Sequence, residues 1–99
     1  MVDKVRVVIA EDGAIIRLDL KEILTEEGYL VVGDTARGDH ALELVAEHEP
    51  DVVILDIKMP GLDGIETARR IAANHDAAVV ILTAFSQREL VDRAIEAGA

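Results

Sequence analysis

The sequence predicts an α/β fold, a parallel β-sheet whose strands are joined by helices. Four short runs rich in β-branched and aliphatic residues, "KVRVVIA", "YLVVGDT", "DVVILDI" and "AAVVILTA", alternate with longer stretches of helical period. That alternation marks βαβ units. The runs are also apolar at nearly every position, as expected of strands buried on both faces. At 99 residues the chain is one domain with a single core, and is short for a sheet covered by helices on both sides.

The elements follow in order. After the first strand, Ile16, Leu20, Ile23 and Leu24 repeat at helical spacing over about Ala14 to Glu27, and Gly28 is suited to a left-handed stop. After the second, Leu42, Val45 and Ala46 form the apolar side of a helix from about Asp39 to His48 that must end before Pro50. After the third, "DGIE" sets Asp63 three residues before Glu66, a capping-box pattern, and Ile65, Ala68, Ile71 and Ala72 form the stripe behind it. After the fourth, "SQRE" repeats the pattern with Ser86 and Glu89, and Leu90, Val91, Ala94 and Ile95 form its stripe. Connections are short, with no low-complexity linker.

Right-handed crossovers put the C-terminal ends of parallel strands along one edge of the sheet, where ligands bind in open α/β folds. The first strand ends in Glu11 and Asp12, the third in Asp56, and the fourth in Thr83 followed by the small Ala84. One crevice is therefore expected to hold three carboxylates and a hydroxyl. Three carboxylates at close range repel unless a proton or metal neutralises them. Oxygen donors without nearby Cys or His suit a hard cation, Mg²⁺ in particular, with the Lys58 backbone carbonyl as a further ligand from the turn after Asp56. An Asp beside Mg²⁺ can attack a phosphoryl group, because the metal screens the oxygens that would repel it. Asp56 is then the phospho-acceptor. Thr83 donates its hydroxyl to one phosphoryl oxygen, and Ala84 leaves room for its backbone N–H to approach another.

Each residue alone has a plainer explanation. An Asp ending a strand is commonly a turn or cap, Glu11 and Asp12 favour the start of the next helix through its dipole, and Thr83 is an ordinary β-former. Capping needs do not explain all of them at the same edge. His40, His48 and His75 fit no ligand spacing. Asp34 and Thr35 end the second strand away from the crevice and read as turn residues.

Composition removes several function classes. Twenty acidic residues against ten basic give a net charge of −10, which repels phosphate backbones and anionic membranes. Tyr29 and Phe85 are the only aromatics, too few for a base-stacking platform, and neither GxxxxGK[ST] nor GxGxxG occurs. Without cysteine there is no disulfide framework or thiolate site. No apolar run approaches membrane-spanning length and the N-terminus is not signal-like, so the cytoplasm is the expected compartment.

The segments "VVIAEDGAIIRLDLKEIL", "PDVVILDIKMPGLDGIE" and "VVILTAFSQRE", in this order and spacing, resemble the receiver domain of two-component response regulators. The resemblance runs from about Val5 to Ala99. It implies a flavodoxin-like, doubly wound parallel sheet, phosphotransfer from a sensor histidine kinase to Asp56, and Mg²⁺ held by Asp12 and Asp56 with Glu11 at one remove. It also implies Thr83 as the switch hydroxyl. "EDGAIIRLDL" and "LTAFSQREL" further resemble receivers that precede ANTAR domains, the RNA-binding outputs of antitermination regulators.

In the family, a fifth strand bearing a phosphoryl-pairing Lys, a switch aromatic and a fifth helix follow the point reached at "AIEAGA". The expectation for residues 1–99 is thus a C-terminally truncated receiver, a (βα)4 fragment with strand order 2-1-3-4. Such a piece is expected to be unstable alone or to form a homodimer through the fourth strand or the uncovered sheet face. The expected function is a phospho-acceptor signalling switch, not a metabolic enzyme. Two alternatives are a Mg²⁺-dependent phosphatase with an Asp nucleophile, disfavoured because Lys58 stands where such enzymes carry a second Asp, and a non-phosphorylated fragment used only for assembly.

Overall fold

The computed structural model describes residues 4–82. In chain order these form β1 (Arg6–Ala10), α1 (Ala14–Glu26), β2 (Leu30–Thr35), α2 (Gly38–His48), β3 (Val52–Asp56), α3 (Gly64–Asn74) and β4 (Ala78–Leu82). All neighbouring strands pair in parallel, in the order β2-β1-β3-β4. The helix expected after the fourth strand, with Ser86, Glu89, Leu90, Val91, Ala94 and Ile95, lies outside the described residues.

The apolar runs become strands because successive side chains on each serve a different layer. Val8, Ala10, Val53 and Leu55 point to the side covered by α2 and α3, where Ala41, Val45, Ile65, Ala68 and Ile71 complete one core. Val7, Ile9 and Ile54 point to the other side, against Leu20 and Leu24 of α1. A sheet with helices on both faces needs strands without polar alternation, and the central pair β1 and β3 shows it most fully.

Three helix faces differ from the periodic reading. Leu20 and Leu24 pack on the sheet, but Ile16 and Ile23 are 53% and 56% exposed. α1 is turned so that Arg17 and Lys21 reach Asp34 on β2. At about 100° per residue this leaves Ile16 and Ile23 roughly a quarter turn from the inner face. On α2, Ala46 is exposed, and Ala41 with Val45 one turn on forms the buried line, flanked by Leu42. On α3, Ala72 is exposed and Thr67 takes the buried place, its hydroxyl donating to the Asp63 carbonyl at 2.7 Å. A polar residue occupies that core position because the first turn of the helix supplies its acceptor.

The helix ends follow local chemistry. Gly28 adopts φ +93° after α1, and the Tyr29 N–H returns to the Leu24 carbonyl at 2.9 Å, closing the helix as its sequence suggested. Asp63 caps α3 by accepting the Glu66 N–H at 2.8 Å. The reciprocal half of the expected capping box is replaced, since the Glu66 carboxylate meets Arg69 at 3.4 Å and Arg70 at 3.3 Å. Asp34 and Thr35 are the last residues of β2, and their expected reading as turn residues is corrected.

Candidate functional site

The parallel register assembles the carboxylates. Ala10 pairs with Leu55, so Glu11, the next residue after β1, emerges beside Asp56, the last residue of β3. Asp56 in turn pairs with Leu82, where β4 ends. Thr83 and Ala84 follow Leu82 in sequence and lie outside the described residues. Carboxylate oxygens of Glu11, Asp12 and Asp56 all lie within 4.8 Å of one another. Among the described residues this is the one group of three such side chains close enough to share a cation, and it contains none of His40, His48 and His75.

The three acids differ in surroundings. Glu11 is buried, 5% exposed, and its Oε1 accepts the Gly13 N–H at 3.0 Å. Asp12 is exposed and Asp56 is half-buried. Burial first, then the charge of Glu11, then the hydrogen bond and charge of Asp12, push the Asp56 carboxyl up to about 6, against a smaller opposing pull from the Ile57 N–H. The three carboxylates thus raise one another's charge cost, and their donors are all oxygen, which fits a hard divalent cation.

Two loops frame the cluster. In "KMPGLDG", Gly61 sits at φ +82°, and the Gly64 N–H donates to the Ile57 carbonyl at 2.7 Å, drawing the start of α3 back against the end of β3. Lys58 is exposed in that turn, two residues beyond Asp56. The Gly38 N–H donates to the Pro60 carbonyl at 3.2 Å, so the start of α2 also braces this turn.

Sequence reasoning passed over the support beneath β1. Thr35 is 7% exposed, its carbonyl accepts the Glu11 N–H at 3.0 Å, and its hydroxyl lies 3.0 Å from His40 Nδ1. Arg17 donates to the Glu11 carbonyl at 2.7 Å and to Asp34 Oδ2 at 3.1 Å. The available signal was an arginine and a lysine one turn apart, Arg17 and Lys21, flanking Leu20 and Leu24, together with a carboxylate at the end of the neighbouring strand.

A model of the response regulator receiver domain matches residues 7–99. The chain belongs to the receiver-domain family. The receiver is 57% identical over 94 residues to the transcriptional regulatory protein PdtaR of Mycobacterium tuberculosis, covering 95% of this chain and 46% of that protein. It is 39% identical over 95 residues to the chemotaxis protein CheY of Thermotoga maritima, covering 95% of this chain and 79% of that one. The chain thus spans about half the length of the PdtaR protein it matches. Among solved structures, the receiver domain of the putative response regulator NarL from Mycobacterium tuberculosis superposes with a TM-score of 0.94 at 34% identity, covering 99% of this chain and 81% of that one. A chain of the CheX–CheY–BeF3–Mg complex from Borrelia burgdorferi gives 0.87 at 30% identity, covering 95% of this chain and 72% of that one. The expected family and the flavodoxin-like order 2-1-3-4 both hold. No helix among the described residues is long and apolar enough to cross a membrane.

Proposed function

We propose that this receiver is a phospho-acceptor switch in which Asp56 takes a phosphoryl group from a phosphohistidine of a sensor kinase. The supporting observation is the position of Asp56 at the end of β3, half-buried, with Glu11 and Asp12 within 4.8 Å. An Asp56 carboxylate oxygen forms the new bond to phosphorus, the phosphorus–nitrogen bond of the donor breaks, and the departing imidazole takes up a proton. The chain's part is to hold the nucleophile in line and receive charge on prearranged donors.

Asp12 and Asp56 would hold Mg²⁺ with Glu11 behind them and the Lys58 carbonyl as a further donor. When bound, the ion offsets the carboxylate charges and those of the incoming phosphoryl oxygens. In this reading Thr83 contributes its hydroxyl and Ala84 its backbone N–H to the transferred group. Lys58 in place of an acid two residues after Asp56 favours a stored phosphoryl group over phosphatase turnover. An output domain that binds RNA, following the receiver in the whole protein, is the partner that reads this state. The compartment is the cytoplasm. In the full-length protein, a small phosphodonor with Mg²⁺ should label the parent and not Asp56→Asn; equal labelling of the variant would refute the assignment.

A further inference from the structure

Three successive peptide groups carry Glu11 and Asp12 into the cluster, and each is held by a different hydrogen bond. The Ala10–Glu11 peptide N–H donates to the Thr35 carbonyl at 3.0 Å. The Asp12–Gly13 peptide N–H donates to the carboxylate of Glu11 at 3.0 Å. Between them, the carbonyl of the Glu11–Asp12 peptide accepts from the guanidinium of Arg17 at 2.7 Å. That middle peptide precedes the Cα of Asp12 directly, so its rotation would swing the exposed carboxylate relative to Asp56. We propose that Arg17 is a positioning residue for the divalent-cation site, fixing the Glu11–Asp12 peptide so that Asp12 faces Asp56.

Arg17 suits this task because its own place is fixed twice. Its Nε donates to Asp34 Oδ2 at 3.1 Å while the other arm of the fork reaches Glu11, and its own backbone N–H donates to the Gly13 carbonyl at 2.9 Å. Lys21, one turn along α1, lies 3.2 Å from Asp34 Oδ1 and anchors that carboxylate from the same helix. Arg17 reaches the backbone carbonyl of Glu11 while its ion pair is with Asp34, so it serves the cluster by holding the peptide in place. A planar fork can serve a carbonyl and a carboxylate in fixed directions at once, and an ammonium group cannot. Groups that orient metal ligands without touching the metal typically govern affinity by about ten-fold or more.

The inference rests on the reading of Glu11, Asp12 and Asp56 as a Mg²⁺ site, and the two fail differently. Mg²⁺ titrations of the full-length protein, followed through the Gly13 amide resonance, report affinity for folded molecules alone. Arg17→Lys, which keeps the charge beside Asp34, and Arg17→Ala should each bind Mg²⁺ about ten-fold more weakly than the parent, with Arg17→Lys unfolding near the parental temperature. Parental affinity in the folded state of Arg17→Lys overturns the proposal, and a lowered melting temperature with unchanged affinity does so too. Should Arg17→Ala fail to fold, Arg17→Lys decides alone. Asp12→Ala separates the two readings: if it binds Mg²⁺ as the parent does, the metal site itself is misassigned.

Discussion

Gly64 packs directly against the backbone carbonyl of Asp56: a β-carbon at position 64 would fall well inside van der Waals contact with that oxygen and with the Ile57 Cα. The start of α3 and the end of β3 are thereby in backbone contact, sealed by the Gly64 N–H on the Ile57 carbonyl at 2.7 Å. Gly64→Ala must push one of them away, and neither neighbour is a flexible side chain. Overpacking of this kind costs about 1–3 kcal/mol. Urea unfolding should show that loss, and Mg²⁺ affinity should fall with it because Asp56 is displaced.

Asp63 tests the same junction more gently. Its carboxylate accepts the Glu66 N–H at 2.8 Å and is the only side-chain N-cap among α1, α2 and α3. Asp63→Ala leaves that N–H to solvent and should cost about 1 kcal/mol, while Asp63→Ser keeps an acceptor and most of the stability. The urea midpoint should move with the slope unchanged.

The sheet and the acidic cluster were legible because each depends on a pattern the backbone enforces. Unalternated apolar runs such as "VVIL" make central strands, and a parallel register of Ala10 on Leu55 then sets Glu11 beside Asp56. The inward rotation of α1 was not legible. Ile16 and Ile23 have the hydrophobicity of core residues, but α1 is turned so that Arg17 and Lys21 reach across to Asp34, a long-range pairing that periodicity cannot register. Thr67 was missed for a related reason. Its burial becomes acceptable only when the Asp63 carbonyl is known to receive its hydroxyl.

Mg²⁺ should stabilise the folded protein and Asp12 should be needed for it. Binding to the folded form alone adds about 2.7 kcal/mol when free ion reaches about a hundred times the dissociation constant. The parent's melting temperature should therefore climb with MgCl₂ at constant ionic strength, and that of Asp12→Ala should stay flat. With a chelator present the order reverses: removing one of three mutually repelling carboxylates leaves Asp12→Ala slightly more stable than the parent. A parallel rise in both proteins would show that the ion acts elsewhere.

Asp56 itself should weaken the metal-free fold at neutral pH. Its carboxyl is raised from 3.8 to about 6 in the folded state, by burial and by the charges of Glu11 and Asp12. Between those values the folded form binds more protons than the unfolded form, so this group's contribution to stability falls as pH rises from about 4 to about 6, then stays level. Because Asp56 is only half-buried, solvent screening reduces the effect to about 1–2 kcal/mol. Asp56→Asn removes the titration, and without metal it should be more stable than the parent by that amount at pH 7. The gap should narrow as pH falls from about 6 and close below 3.8, where the parent's carboxyl becomes protonated in the unfolded state as well as the folded one. Chemical denaturation of the pair at several pH values in chelator measures the difference directly, and a gap independent of pH would mean that Asp56 is not the strained acid of the cluster. Saturating Mg²⁺ should reverse the ranking at pH 7, since the ionised carboxylate that burdens the empty site is the one the cation needs.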